Sequence, residues 1–243
     1  MGTIPAVSHL LWGIIEYDIF NGEYRELIPM SPFNLTTFSI QQLAFERHYQ
    51  FLFKQLNVEL HSGDLVQVCG NNGTGKSTLL RILAGFIEPH AGNIVWQGKS
   101  IFTELDAYQQ QIHYLAHQNG IKPHLTVLEN LTFNFALANK RLDLTHLNPL
   151  VDELSLSRLL DTKALHLSAG QLRRLAMLRI IANPAPLWIL DEPMTALDAS
   201  GQALLIDYLR KHLANQGMAI VATHQALPFA NMKTIHLGEF HGE

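Results

Sequence analysis

The stretch that most constrains this chain is Val66-Gln67-Val68-Cys69-Gly70-Asn71-Asn72-Gly73-Thr74-Gly75-Lys76-Ser77-Thr78. A short apolar strand runs into a glycine-rich turn and then a helix start, matching G-x-x-x-x-G-K-[ST] at Gly70, Gly75, Lys76 and Ser77. The glycines allow backbone N–H groups between Gly70 and Thr78 to point inward as a concave anion nest. Lys76 supplies a point charge for the β- and γ-phosphates of a nucleotide. The Ser77 hydroxyl suits the shell of a Mg²⁺ ion that keeps most of its waters. A helix from Lys76 through Leu83 would aim its positive end at the same phosphates. At ordinary glycine usage of about 7% such a pattern arises by accident in roughly one chain in a hundred, and the flanking strand and helix reduce those odds.

The 243 residues suffice for one sizeable domain with its own core. Charged residues make up 16% of the chain, the net charge is −4, and no run of Lys or Arg occurs, so nothing in the charge supports a nucleic-acid partner. The single cysteine, Cys69, rules out an internal disulfide framework and suits a reducing compartment. No apolar stretch approaches the roughly 20 residues needed to span a bilayer, so a transport role would require a separate chain to form the channel. Met1 to Leu10 lacks the positive start of a signal peptide.

Residues 1–37 carry the least signal. They read as an extension, either a poorly packed tail or a surface-docked amphipathic segment around Leu10–Ile15, with Met30 as an alternative start. Beyond them, alternating apolar residues predict strands over Phe38–Glu46 and Leu56–Leu60, and mostly apolar runs predict buried strands over Leu65–Cys69, Leu187–Leu190 and Met218–Thr223. Shorter strands are expected at Asn93–Trp96 (an edge), Ile112–Ala116 and Thr234–Leu237. Thr126 with Glu129 has capping-box spacing ahead of a helix. Further helices are expected after Ser168 and over Ala203–Leu213. Strands alternating with helices argue for a mainly parallel α/β sheet, with a helical insertion over about 119–183.

Four further stretches add chemistry. The apolar run ending in Asp191-Glu192-Pro193 puts Asp191 at a strand tip, where a carboxylate can hold the Mg²⁺ shell. Glu192, one residue on, is placed to polarise an attacking water. Alone, these would be two solvated acids. Ser168-Ala169-Gly170-Gln171 reads as an N-cap and a second phosphate-binding helix end. Two such ends in one chain do not readily serve one γ-phosphate, so a head-to-tail dimer is expected, with this motif facing the loop of a second copy. His224, after a buried strand, can hydrogen-bond a γ-phosphate, although a lone strand-end histidine is usually structural. Gln118, at another strand end, can reach the metal or the lytic water, and the loop beyond it could move as the nucleotide changes. His113, His117 and His124 read as scattered surface and core residues.

Together these residues resemble the ATP-binding subunits of ABC transporters over about residues 38–243, with the Walker A, signature, Walker B and histidine elements in order. A narrower resemblance, carried by Leu65-Val66-Gln67-Val68, Val95-Trp96-Gln97-Gly98, Ala116-His117-Gln118-Asn119-Gly120-Ile121-Lys122, Leu128-Glu129-Asn130-Leu131 and Thr223-His224-Gln225, is to the CcmA family, the ATPase subunits of the haem exporter in bacterial cytochrome c maturation. The resemblance implies an ABC-type P-loop NTPase: a mainly parallel sheet core, an antiparallel N-terminal β part and a helical subdomain. It implies ATP and Mg²⁺ as ligands, catalytic roles for Glu192, His224 and Gln118, and a metal shell from Ser77, Gln118 and Asp191. It makes Gln118 the Q-loop glutamine and Ala196-Leu197-Asp198 the D-loop, with Asp198 beside the nucleotide. The adenine-stacking aromatic falls near Arg47, and Tyr49 is the choice made among its neighbours. The implied partners are integral membrane permease subunits and a second copy, at the cytoplasmic face of the bacterial inner membrane. The signature departs from the general Ser-Gly-Gly-Gln in reading Ser-Ala-Gly-Gln, as the CcmA family also does, and roughly the first 29 residues exceed that family's usual length. An ABC subunit for another cargo, a soluble ABC ATPase of translation or DNA repair, and a binding module with a dead site remain alternatives from sequence.

Overall fold

Three mostly apolar runs, Leu65–Cys69, Leu187–Asp191 and Met218–Ala222, with Gln67 and Asp191 as their polar members, lie side by side at the centre of the molecule, because strands largely apolar on both faces need cover on both. The computed structural model describes residues 15–18, 23–26, 33, 36–138 and 142–238. In chain order these are β1 (Ile15–Asp18), β2 (Glu23–Glu26), β3 (Thr37–Arg47), β4 (Gln50–His61), β5 (Leu65–Cys69), α1 (Lys76–Leu83), β6 (Ala91–Trp96), β7 (Lys99–Ser100), α2 (Leu105–Gln109) and β8 (Ile112–Leu115). Then follow α3 (Val127–Leu137), α4 (Leu144–Glu153), α5 (Ala169–Ile181), β9 (Leu187–Asp191), α6 (Ala199–Ala214), β10 (Met218–Ala222) and β11 (Lys233–His236), with short 3-10 turns at Ser157–Leu159 and Ala164–His166.

The central sheet is wholly parallel, in the order β11-β5-β10-β9-β8. Its register sets Ala222 level with Val68 on one side and Asp191 on the other. The carboxyl ends of β5, β10 and β9 therefore open at one place, the usual ligand position on an open parallel sheet. A second, antiparallel sheet runs β4-β3-β6-β7. Alternate residues of the central strands feed two cores. Val66, Val68, Ile189 and Ile220 pack with α1 and the antiparallel sheet, while Trp188, Leu190, Ala219 and Val221 pack with α3, α5 and α6.

Several expectations need adjusting. β6 is interior, flanked by β3 and β7. β4 begins at Gln50, six residues before the alternation suggests. Gln42 and Gln55 have φ of 50° and 51°, and the β3–β4 register slips after Ile40, so the period-2 pattern is broken exactly where the pairing continues.

α6 starts at Ala199, capped by Asp198. The helix α2 had no sequence signal. The expected caps do form: Thr126 with Glu129, and Ser168 with Gln171, each close a full capping box. Of residues 1–37, the structure pairs β1 with β2 antiparallel and sets Phe33 edge-on against His212 at 5.9 Å. The surface-segment reading around Leu10–Ile15 and the alternative start at Met30 fall almost wholly outside the described residues.

Candidate active site

The loop between β5 and α1 folds as its glycines require. A Cβ on Gly70 would stand 2.6 Å from both Leu237 O and Thr74 Oγ1. Gly75 is the N-cap of α1, in a left-handed conformation with φ 100°, and makes no side-chain cap. No side chain competes for the first-turn N–H groups of α1, which leaves them to an anion. Lys76 is 7% exposed, and its Nζ donates to Gly70 O (2.7 Å) and Asn71 O (3.2 Å). The ammonium is thus held over its own loop.

A cavity of about 440 Å³ opens here. It is lined by Asn72, Gly73, Gly75, Lys76, Ser77 and Thr78 from the loop and α1, by Asp191, Glu192 and Thr195 after β9, by His224 after β10, and by Arg47, Leu52 and His117. Gln67 of β5 aims the His224 turn, its amide reaching Gln225 O at 2.9 Å.

His224 Nε2 lies 3.0 Å from Lys76 Nζ, 2.9 Å from Asn72 Oδ1 and 3.4 Å from Glu192 Oε1. One ring nitrogen cannot accept and donate at once. Bare, it accepts from the ammonium; protonated, it donates to the amide or the carboxylate. Glu192 Oε1 is buried and accepts no well-formed hydrogen bond; the His224 ring at 3.4 Å is an ion-pair partner only when protonated. A buried acceptor left under-satisfied costs about 1–3 kcal/mol, so this oxygen marks a place for a proton donor such as water. Glu192 also has φ 46°, a conformation costing about 1–3 kcal/mol for a side-chain-bearing residue.

The metal fit can be judged from the donors. Among the described residues no group of three His, Cys, Asp or Glu side chains forms a metal cage. Asp191 (3% exposed) and Ser77 share the cavity with the phosphate loop. One carboxylate and one hydroxyl, completed by phosphates and waters, suit Mg²⁺, which dehydrates reluctantly and seldom uses an all-protein cage.

Other predicted residues lie elsewhere. Gly70, Asn71 and Thr74 shape the loop without lining the cavity. Gln118 is exposed and outside it; its neighbour His117 lines it instead. The choice of Tyr49 is not supported. His48 and Tyr49 (φ 52° and 61°) form the β3–β4 turn, Tyr49 is 98% exposed, and Arg47 and Leu52 face the cavity.

Ser168, Ala169, Gly170 and Gln171 form the start of α5, away from this cavity, with Gly170 packed so closely that a Cβ would meet Ala196 O at 3.0 Å. Asp198 caps α6 through Gly201 N (2.9 Å) and pairs with Arg174 (2.7 Å). The Gly201 amide, Arg174 and Ser200 hold its carboxyl down to about 2. Sequence reasoning missed Arg47, Leu52, Thr195, His117 and the buried Arg173. Arg47 had a signal, as the position where the adenine-stacking residue was expected, and so did His117, as the neighbour of Gln118 in the motif.

Residues 53–195 match the ABC transporter family profile. That span takes in the phosphate loop, the α5 start and the Asp191–Glu192 strand end. The chain belongs to the ABC transporter family. Within it, the relatives are cytochrome c biogenesis ATP-binding export proteins, CcmA. The one from Haemophilus influenzae is 37% identical over 84% of this chain and 97% of its own length. The one from Vibrio cholerae is 40% identical over 82% and 98%. A solved dimeric structure of a bacterial ABC transporter cassette shares the fold, with TM-score 0.69 at 23% identity over 77% of this chain and 88% of its own. The chain is thus an ATP-binding, ATP-hydrolysing ABC subunit of the CcmA branch.

This ABC subunit has a second, larger cavity of about 630 Å³, where β8, α3 and α5 meet. Phe86 and Leu137, 55% and 68% exposed, lie in it, and Phe86 packs edge-on to Tyr114 at 5.2 Å. Arg179 contributes a cation there, its pKa drawn down by burial, and among the described residues no Asp or Glu lines the groove. No helix among the described residues is long and apolar enough to cross a membrane.

Proposed function

We propose that this chain is the ATPase subunit of a haem-exporting complex of cytochrome c maturation, working as a head-to-tail pair beneath integral membrane permease subunits at the cytoplasmic face of the inner membrane. The observation that carries the hydrolytic part is the convergence of Lys76, Asp191, Glu192 and His224 on one cavity, with Glu192 Oε1 buried and accepting no well-formed hydrogen bond. The haem assignment rests on the CcmA relatives.

In this reading the amides from Gly70 to Thr78 and the Lys76 ammonium bind the triphosphate. Ser77 and Asp191 would hold Mg²⁺, with Gln118 joining them if the turn at His117 moves inward. When bound, the metal neutralises charge on the β- and γ-phosphates. Glu192 takes a proton from a water, whose oxygen attacks the γ-phosphorus. The bond to the β–γ bridging oxygen breaks, and ADP and phosphate leave. His224 donates to the γ-phosphate through Nε2. The Ser168–Gln171 helix end and Asp198, which do not line the cavity of their own chain, serve a second copy's nucleotide. The permease is received by the mixed polar and apolar groove at Phe86 and Leu137, next to the loop after Gln118.

The Glu192→Gln variant tests this. It should bind ATP normally, release phosphate about 100-fold more slowly or worse, and accumulate as a dimer with ATP. Turnover at the wild-type rate would remove Glu192 from its role. Failure of the full chain to co-purify with membrane subunits whose loss abolishes haem export would remove the cargo assignment alone.

A further inference from the structure

Arg173 lies on α5, two positions beyond the Ser168–Gln171 motif, and is 2% exposed. Its guanidinium is fully engaged. Nε donates to Pro193 O (3.1 Å), Nη2 to Asp191 O (2.9 Å) and Glu192 O (2.6 Å), and Nη1 to Ala116 O (3.0 Å) and Asn119 Oδ1 (2.8 Å). Three successive carbonyls after β9 thus converge on one planar cation, and the same cation holds both ends of the turn that carries His117 and Gln118.

Those carbonyls belong to a strained segment. Glu192 has φ 46°, and it precedes a proline, whose ring already restricts the residue before it. Such a conformation persists only where its surroundings over-determine it. The other backbone ties of Glu192 are its amide to Ala222 O (2.8 Å) and its carbonyl from Thr195 N (3.1 Å). Each of these ties holds one of the two peptide planes beside the residue; the guanidinium, bonded to the carbonyls of Asp191 and Glu192, holds both planes from one rigid group.

We propose that Arg173 is a positioning residue for hydrolysis: it clamps the carbonyls of Asp191, Glu192 and Pro193, so fixing the direction of the Glu192 carboxylate, and sets the His117–Gln118 turn against it. It touches neither nucleotide nor metal. Arginine is required by geometry, since a forked set of donors reaches two segments at once, whereas a lysine ammonium is a single point on a flexible stem. Burial draws the guanidinium pKa to about 10, against the pull of Asp191 and Glu192, so it stays charged at neutral pH. The inference rests on Glu192 being the base.

The test compares Arg173→Lys, Arg173→Gln and Glu192→Gln in the full chain with Mg-ATP. Loosening a catalytic group by an ångström typically costs about 100-fold. The Arg173 variants should therefore lose 10- to 100-fold in kcat (about that range) with the KM and Kd for ATP changed less than about 3-fold, because the phosphate loop is untouched. Adding Arg173→Lys to Glu192→Gln should cause no further loss. A general packing defect would lower Tm and ATP binding together and would add to Glu192→Gln; either result overturns the proposal. If Glu192→Gln keeps its turnover, the reading of the base fails first. If it loses turnover while the Arg173 variants keep theirs, Arg173 alone is wrong. A measurement on the unmodified chain guards against variants that do not fold: the Arg173 Nη–H signals should be resolved and slowly exchanging by ¹⁵N NMR. Averaged, freely rotating signals would overturn the clamp.

Discussion

Asn130 offers the clearest test of how the loop after Gln118 is held. It is fully buried, in the second turn of α3. Its Oδ1 accepts from Lys122 N at 2.8 Å, and its Nδ2 reaches Lys122 O (3.0 Å), Leu125 O (3.2 Å) and Thr126 O (2.9 Å). The substitution to consider is Asn130→Leu, which is close in shape and carries no polar atom. The three carbonyls would keep other donors: Lys122 O has Leu125 N (3.2 Å), Leu125 O has Ala164 N (2.9 Å) and Thr126 O has the amide of residue 130 (2.9 Å). Only Lys122 N loses its acceptor, and since Lys122 is exposed, water can take over part of that bond. The low end of the penalty applies, about 1 kcal/mol for the orphaned amide and about 1 kcal/mol for the lost amide arms. A loss of about 2 kcal/mol corresponds to about 4–8 °C in Tm for a chain of this size. Urea unfolding followed by the fluorescence of buried Trp188 should show the midpoint falling at constant slope. Hydrogen exchange should quicken between residues 119 and 126. A change below about 0.5 kcal/mol, the level of an ordinary surface substitution, would refute the pinning argument.

Two further outcomes follow from the geometry. His212 is 0% exposed, stacks on Trp188 at 4.1 Å, bonds Met218 O at 2.9 Å, and is pushed down to about 4 mainly by burial. Its folded pKa lies below the unfolded value, so its contribution is complete above about pH 6.5 and is lost as pH falls toward 4, by about 3 kcal/mol. Comparing His212→Phe with the unmodified chain across pH 4–7 should remove that part of the slope, and an unchanged slope would contradict the buried neutral ring. Gly75→Ala would place a Cβ 3.1 Å from Leu52 Cδ1 at a residue with φ 100°. It should destabilise the fold by about 1–3 kcal/mol and abolish ATP binding in a nucleotide titration; normal binding would show that the loop tolerates a different path.

The parts of the fold that could be read from sequence are those where one residue type is required locally. The phosphate loop was legible because its glycines carry conformations that others adopt only under strain, and the Thr126 and Ser168 caps because a hydroxyl and a long polar side chain three residues on have one common use. The β3–β4 hairpin was less legible because His48-Tyr49 lacks the Asn-Gly or Asp-Gly signature of a tight turn. Without the turn, nothing in the sequence separates Tyr49 at its tip from Arg47 and Leu52 on the strands beside the cavity. The under-satisfied oxygen of Glu192 was also hidden, since it depends on where His224, brought in by the parallel register, comes to rest.

Arg173 and Arg174 show most sharply what a string of letters conceals. Adjacent on α5, they lie about 100° apart around the helix, and only the packing decides which is buried. Arg173 turns inward to the carbonyls of residues 191–193. Arg174 turns outward to Asp198 and Ser200. The segment between β9 and α6 is therefore fastened to one helix at both its beginning and its end. Glu192, within the first fastening, and Ala196, between the two, have φ of 46° and 66°. Neither strained conformation would persist in a free loop. The fastenings differ in kind. Asp198 is 65% exposed in its side chain, so its pairing with Arg174 is open to screening by salt. The Arg173 bonds are buried and nearly insensitive to it. The end of the segment that carries Glu192 is thus held by contacts that ionic strength scarcely alters, and the end that begins α6 is held by contacts that it weakens.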